Sequence, residues 1–328
     1  NRMFTPRFQA GDMISHLESQ LFLRDRIISG RISFDGHIRN IMPLSRTTEH
    51  YILPSFIDGH VHGKGRTDMM DGVAAIKTLF RFHLAHDTTP LLLTTITIPW
   101  AEIMGTLRAV ADVVIGERKT APAFTAHIWD AFRQPHKLGT QPPFDIEPTG
   151  GHVAEAIATG SVRVVTNTPE LAHSISAMQT FTCTGIRVSI GHIITDHAGA
   201  ERDICLVVRL AECVMGNRLL FVTDAIRGTG ESDGPSQLGG QDVLIRDLAH
   251  LLDGTLVGSV LPLDQALCNA VDAGMSLPKA ARLVSTNTAT YLGLHERGAI
   301  APDLLADCTV LDERLQIIEV WVNGKRRA

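Results

Sequence analysis

Pro54-Ser55-Phe56-Ile57-Asp58-Gly59-His60-Val61-His62-Gly63 decides how the rest of the chain is read. A short apolar strand runs into an H-x-H pair. Side chains alternate across a strand, so His60 and His62 share one face and stand close enough to grip a single metal ion. Two imidazoles suit zinc first, with iron, manganese or cobalt as alternatives. A bare H-x-H is more often a pair of ordinary loop histidines, so the surroundings must decide.

Working outward, apolar strand-like runs alternate with amphipathic helical stretches. The expected strands are residues 91–98, 123–128, 162–166, 186–190 and 219–222, each bulky and nearly continuous in hydrophobicity, as strands buried on both faces should be. The expected helices are 72–86, 102–115, 152–159 and 203–215. Alternation of this kind implies a parallel sheet with right-handed crossovers, and at this length an α/β fold of TIM-like (β/α) barrel form is the economical solution. Both ends read differently. Residues 21–41 are hairpin material around the Asp35-Gly36 turn, and residues 306–322 repeat that character before Asn323-Gly324. The expected organisation is therefore a small β-sandwich from 1–53 plus 303–328, and a barrel from 54–302.

The chain has 328 residues, 44% of them hydrophobic, enough to bury a large core. Its net charge of -5 comes from mixed acidic and basic residues, without a basic face for nucleic acid or anionic lipid, so a small-molecule partner is expected. Five cysteines, widely spaced and free of C-x-x-C, argue against a disulfide framework or a thiolate zinc site. Residues 1–10 have no signal-type apolar core, and no stretch approaches ~18 uninterrupted apolar residues, so a cytoplasmic protein with no membrane partner is expected.

Two further positions stand where barrel enzymes build their sites, at the carboxyl ends of strands. His192 follows the apolar run 186–190, and Asp224 closes Leu219-Leu220-Phe221-Val222-Thr223. Read alone, they are a structural histidine and a helix cap.

The P-S-F-I-D-G-H-V-H-G stretch resembles the first-strand signature of the amidohydrolase superfamily. Further matches narrow the resemblance to the N-acetylglucosamine-6-phosphate deacetylases. They are D-M-M-D-G at 68–72, T-T-I-T at 94–97, L-G-T-Q at 138–141, V-S-I-G-H at 188–192, V-T-D-A at 222–225, D-G-T-L-V-G-S at 253–259 and E-R-G-A-I-A-P at 296–302. The resemblance implies a divalent metal ion held by His60, His62, His192 and Asp224, with Asp224 as the catalytic carboxylate. It also implies substrate contacts at Thr140, Leu256, Val257 and Gly258, a homodimer, and hydrolysis of N-acetylglucosamine 6-phosphate to glucosamine 6-phosphate and acetate. The fold, site and reaction are expectations at this point.

Two departures accompany it. Where the family reads H-[LI]-E-G-P-F and takes a metal-binding glutamate, this chain reads His127-Ile128-Trp129-Asp130-Ala131-Phe132. Trp129 cannot ligate a metal, and on a regular strand Asp130 faces the other way unless a bulge re-aims it. The family's T-H-L-F-N-A-M segment, with its ligand histidine, has no counterpart. His192 and Asp224 stand 32 positions apart, one β/α unit of ~31 residues, whereas the family separates them by three strands, so about two units are short. Three accounts fit: residues omitted near Gly199 to Asp203, a true deletion that leaves a catalytically impaired paralogue binding a sugar phosphate or a partner subunit, or an altered enzyme using one ion. A sibling amidohydrolase acting on another amide or a cyclic ureide is the remaining alternative.

Overall fold

The computed structural model describes residues 14–24, 26–46, 48–116, 125–133, 142–168, 171–190, 219–246 and 248–327, the side chains of Ile115, Asp130 and Ile190 excepted. The segment following Pro43 leads from a hairpin region into the central sheet. Strands β1 (Ser15–Leu23), β2 (Arg26–Phe34) and β3 (Ile38–Pro43) form an antiparallel meander, and β1 also pairs in parallel with β4 (Tyr51–Pro54).

The chain then enters a parallel sheet. Strand β5 (Phe56–Val61) is followed by a small hairpin of β6 (Gly63–Lys64) and β7 (Thr67–Asp68), then by helix α1 (Val73–Ala85). Next come β8 (Thr88–Thr94), α2 (Trp100–Gly116), β9 (Thr125–Phe132), α3 (Gly150–Ala158), β10 (Val162–Asn167), α4 (Ser174–Cys183) and β11 (Arg187–Ile190). The order β11-β10-β9-β8-β5 is parallel throughout. Single bridges extend it, Val61 with Ala225 and Ala225 with Ser259, both parallel. This is the wall of a TIM-like (β/α) barrel, in which the Asp224 segment lies directly beside the first strand.

Each strand alternates between two cores. Leu91, Leu93, Ala126, Ile128 and Val165 face Ile76, Leu79, Leu107, Val110, Ala156 and Phe181 of the covering helices. Ile57, Leu92 and Val164 face the other way, onto Ala289 and Leu292. Full burial of one such leucine contributes roughly 2–3 kcal/mol.

After residue 226 a three-stranded antiparallel sheet forms from β12 (Gly234–Leu238), β13 (Gln241–Arg246) and β14 (Leu248–Leu251). Helices α5 (Leu263–Asp272) and α6 (Leu277–Ala281) follow, then a π-helical turn (Arg282–Thr286) and α7 (Asn287–Leu292). Finally β15 (Cys308–Leu311), β16 (Ile317–Val322) and β17 (Lys325–Arg326) join the amino-terminal strands in one seven-stranded sheet, β17-β16-β15-β4-β1-β2-β3. Its closing turn depends on Gly324: φ is +69°, and a Cβ there would lie 1.3 Å from the Asp35 carbonyl oxygen.

Two details differ from the sequence reading. Residues 219–222 form no strand. The Phe221 amide donates to the Leu283 carbonyl of the π-helical turn at 2.9 Å, so sheet pairing is delayed to Ala225. Helix α4 was not expected, because its Ser- and Thr-rich sequence is a weak helix former. The expected helix at 203–215 and the expected junction at Gly199 to Asp203 lie outside the described residues.

Candidate active site

Strand β5 would point His60 and His62 away from the face that Ile57 covers if its pleat were regular. Its pairing with β8 shifts register between Asp58 and Val61, which changes the parity. Val61 then packs with Leu91 and Leu93 under the helices, and the two histidines flanking it join the inner face. Thr94 and His127 lie in register on that same face.

On it, His60 Nε2 and His62 Nε2 stand 3.1 Å apart. Asp224 Oδ1 lies 3.4 Å from the first and 3.3 Å from the second. The three ligand atoms fall within 4.8 Å of one another, and this is the metal-competent group of three found among the described residues. His62 Nδ1 contacts the Thr94 carbonyl at 3.0 Å. A carbonyl only accepts, so the proton sits on Nδ1 and the Nε2 lone pair is left free to face His60 and Asp224. Two buried Nε2 atoms this close need a proton or a cation between them.

Burial first, then the neighbouring His62 and His127 rings, push the His60 pKa well below its ordinary value against the pull of Asp224. Burial, reinforced by His62, takes His127 down to about 3. Both imidazoles are neutral at pH 7 and present lone pairs. Burial opposes ionisation of Asp224, yet its contacts with His62 and then His60 outweigh it and hold this half-exposed carboxyl below the usual range.

Asp224 adopts φ +52°, a left-handed conformation that an L-residue holds only when its surroundings impose it. The surroundings here are specific. Its amide donates to the His60 carbonyl at 3.0 Å, and its carbonyl accepts from the Ser259 amide at 2.8 Å. Gly258 (φ +49°) lets that segment approach, since a Cβ there would sit 2.8 Å from the Asp224 carbonyl oxygen. A second brace ties β5 to the same loop: buried Asp58 accepts from the Thr223 hydroxyl at 2.5 Å, the Thr223 amide at 3.2 Å and the His60 amide at 3.1 Å. Burial still raises the Asp58 pKa to about 7.

The other side of the site is aromatic. The Trp129 ring meets His60 edge-on with centroids 4.5 Å apart, and His127 lies 5.3 Å from Trp129. His127 Nε2 is taken by the Thr166 hydroxyl at 2.8 Å. The pairing of β9 with β10 loses register between Ile128 and Phe132. The Asp130 side chain, which a bulge would have to re-aim, lies outside the described residues.

Of the expected site residues, His60, His62 and Asp224 meet, and Gly258 backs Asp224 directly. Val257 is buried in the core with Ile226, so its side chain is packing, while Leu256 is exposed. His192 and Thr140 lie outside the described residues. Sequence reading missed Asp58, Thr94 and Thr223. Only the D-G-H-x-H and T-D-A contexts hinted at them, because a brace is visible only once its two segments are side by side.

No family model matches the chain. It is 25% identical to N-acetylglucosamine-6-phosphate deacetylase from Lysinibacillus sphaericus, over 84% of this chain and 85% of the relative. It is 24% identical to N-acetylgalactosamine-6-phosphate deacetylase from Escherichia coli O157:H7, over 89% and 92%. The crystal structure of N-acetylglucosamine-6-phosphate deacetylase from Thermotoga maritima superposes with TM-score 0.86 at 22% identity, covering 95% of this chain and 99% of that one. With a barrel wall that carries an H-x-H strand beside a T-D-A loop, and relatives of this name matching over most of their length, the chain is similar to the N-acetylglucosamine-6-phosphate deacetylases.

Proposed function

We propose that the chain hydrolyses the N-acetyl group of N-acetylglucosamine 6-phosphate to glucosamine 6-phosphate and acetate, using one divalent ion held by His60, His62 and Asp224. The observation that carries this is the convergence of two imidazole nitrogens and one carboxylate oxygen within 4.8 Å. The donor set fits such an ion. A tetrahedral zinc with Zn–N bonds of ~2.0–2.1 Å separates its nitrogens by roughly 3.3 Å, against the 3.1 Å between His60 and His62. When bound, the ion supplies Lewis acidity that polarises an amide carbonyl and makes a water molecule acidic at neutral pH.

The chain's own residues do the rest. The Thr94 carbonyl holds the His62 ring in the tautomer that offers Nε2. Asp224, ionised and half exposed, takes the proton of the attacking water at Oδ and returns it to the departing amine nitrogen. The Asp58–Thr223 brace keeps the loop of Asp224 at a fixed distance from the β5 histidines. Trp129 walls the site where the family's glutamate would stand, which favours a single ion, and His192 supplies a further ligand position in this reading. Thr140 and the 256–258 backbone are proposed to contact the sugar. Zinc, a homodimer, a cytoplasmic setting, and a division into 1–53 plus 303–328 and 54–302 complete the proposal. Among the described residues no helix is long and apolar enough to cross a membrane.

The test is acetate release by zinc-loaded protein from N-acetylglucosamine 6-phosphate, its galacto epimer and unphosphorylated N-acetylglucosamine. Turnover of the phosphorylated glucosamine derivative with the highest kcat/KM supports the proposal. Preference for the epimer would move the substrate to the one named in the Escherichia coli relative. A folded, metal-loaded protein inert towards all three would reject the reading in favour of an impaired, ligand-binding paralogue.

A further inference from the structure

The D-M-M-D-G stretch at 68–72, which the metal group does not use, joins the hairpin after His62 to α1. It folds as a 3₁₀ turn (Met69–Asp71) closed by a reciprocal cap: Asp68 Oδ1 accepts from the Met70 amide at 2.8 Å, and Asp71 Oδ2 accepts from the Asp68 amide at 3.0 Å. Both carboxylates are thus aimed by backbone. What they face is Arg227, three residues beyond Asp224, whose Nη2 donates to Asp68 Oδ2 and, at 3.1 Å, to Asp71 Oδ2. Its Nε has no hydrogen-bond partner among the described residues, so Nη2 carries the link.

The two segments joined in this way are the ones that carry the ligands. The Ala225 carbonyl accepts from the His62 and Gly63 amides, each at 2.9 Å, and the Arg227 carbonyl accepts from the Arg66 amide at 2.8 Å. Gly63 allows this approach, because a Cβ there would lie 2.8 Å from the Arg227 nitrogen. Asp224 is therefore braced on both flanks, by Thr223 on Asp58 before it and by Arg227 on Asp68 and Asp71 after it. The second brace is charged and its Asp68 end is buried, so breaking it leaves a buried carboxylate unpaired unless the loop moves. Arg227 lines two cavities, of about 460 and 470 Å³, and is only half-buried, so its contribution is polar rather than packing.

We propose that Arg227 is a positioning residue of the metal group: through Asp68 and Asp71 it holds the Asp224 carboxylate at the spacing from His60 and His62 that one divalent ion requires. This rests on the reading that those three residues hold the ion. At φ +52° Asp224 keeps its backbone conformation only while its surroundings over-determine it, and releasing the brace on its carboxyl side lets the carboxylate drift from the imidazoles.

The test is the zinc affinity of the full chain, by competition with a chromophoric chelator, beside denaturant unfolding of the metal-free protein. Zinc uptake by wild type that is lost in H60N/H62N/D224N establishes the metal group separately; equal uptake in the two rejects that reading and this inference with it. R227Q should then bind zinc at least about tenfold more weakly. D68N, which keeps the capping oxygen, should bind several-fold more weakly, and R227Q/D68N no more weakly than R227Q, because both substitutions cut one link. R227K, which returns a cation to the reach of Asp68, should regain most of the affinity. A loss of metal-free stability in R227Q with zinc affinity unchanged would make the brace merely structural and overturn the proposal. So would losses that add in R227Q/D68N, or R227K as weak as R227Q. If R227Q fails to fold, D68N decides: weaker zinc binding supports the proposal and unchanged binding overturns it.

Discussion

Strands β5 and β9 reach the same mouth, and both set histidines on the inner face, yet they are built differently. Strand β5 shifts register before its histidines, and each consequence of that shift is secured: Asp58 is clamped by Thr223, and His62 is oriented by Thr94. Strand β9 shifts register after Ile128, and what it presents to the site is the Trp129 indole and a histidine whose Nε2 is already engaged by Thr166. One side of the mouth is therefore a ligand array and the other a wall. A bulge re-aims side chains in both strands, but chemistry follows only where the re-aimed groups have donors left over.

The comparison predicts that function is lost most completely on the β5 side. D224N keeps the shape of the loop but removes the proton acceptor, and kcat/KM should fall by about 10²–10⁴-fold. A decrease smaller than tenfold would mean that another group carries the proton and would break the assignment. The next largest effect falls on the support of that carboxylate. Gly258→Ala forces a side chain against the Asp224 carbonyl at a left-handed φ, and about 2–4 kcal/mol of stability should be lost, read from denaturant unfolding. A stable G258A would show that the 258–259 segment does not fix Asp224.

These elements differ in how much the sequence discloses. The β/α alternation was legible because buried parallel strands are continuous apolar runs, and His60 and His62 because H-x-H at a strand end is a compact local pattern. Asp224 was found only through its V-T-D-A context, since a lone aspartate after an apolar run reads as a cap. The Thr94 carbonyl carries no signal at all, being a backbone group that every residue has. The role of Trp129 was half visible: that it cannot bind metal follows from its chemistry, but its contact with His60 required the strands to be assembled. Helix α4 was hidden by Ser and Thr, residues whose side chains satisfy the backbone in other conformations as well.

Neutral buried imidazoles are not confined to the mouth, and this sharpens the comparison at a smaller scale. His83 on α1 is buried with no hydrogen-bond partner for either ring nitrogen among the described residues. Burial first, then His86 and Lys64, lower its pKa to about 3, against an unfolded value near 6.5. The unfolded chain therefore binds more protons below pH 6.5, and stability falls as the pH drops from there towards 3. Between pH 7 and 5 the loss from His83 alone should be about 2 kcal/mol. H83L should be neutral or stabilising at pH 7 and should flatten that acid limb in unfolding measured across the range. An acid limb unchanged in H83L would assign the sensitivity to His60 and His127 instead.

The mildest expected effect tests the wall itself. Replacing Trp129 by glutamate puts a carboxylate on the inner face of β9, beside His60, where the indole now meets the imidazole edge. If the asymmetry between the two strands is what limits the ion's ligands, W129E should tighten zinc binding about tenfold, roughly 1.4 kcal/mol. Competition with a chromophoric chelator reads this without reference to activity, and the quenching of the tryptophan signal by cobalt should shrink once the indole beside His60 is gone. The opposing cost is the packing of a large aromatic ring, so W129Q serves as the control that loses the ring without gaining the charge. Tighter zinc binding in W129E but not in W129Q assigns the gain to the carboxylate. Equal affinity in wild type, W129E and W129Q would mean that the β9 face lies too far from the ion to matter, and the division of the mouth into an array and a wall would then rest on β5 alone.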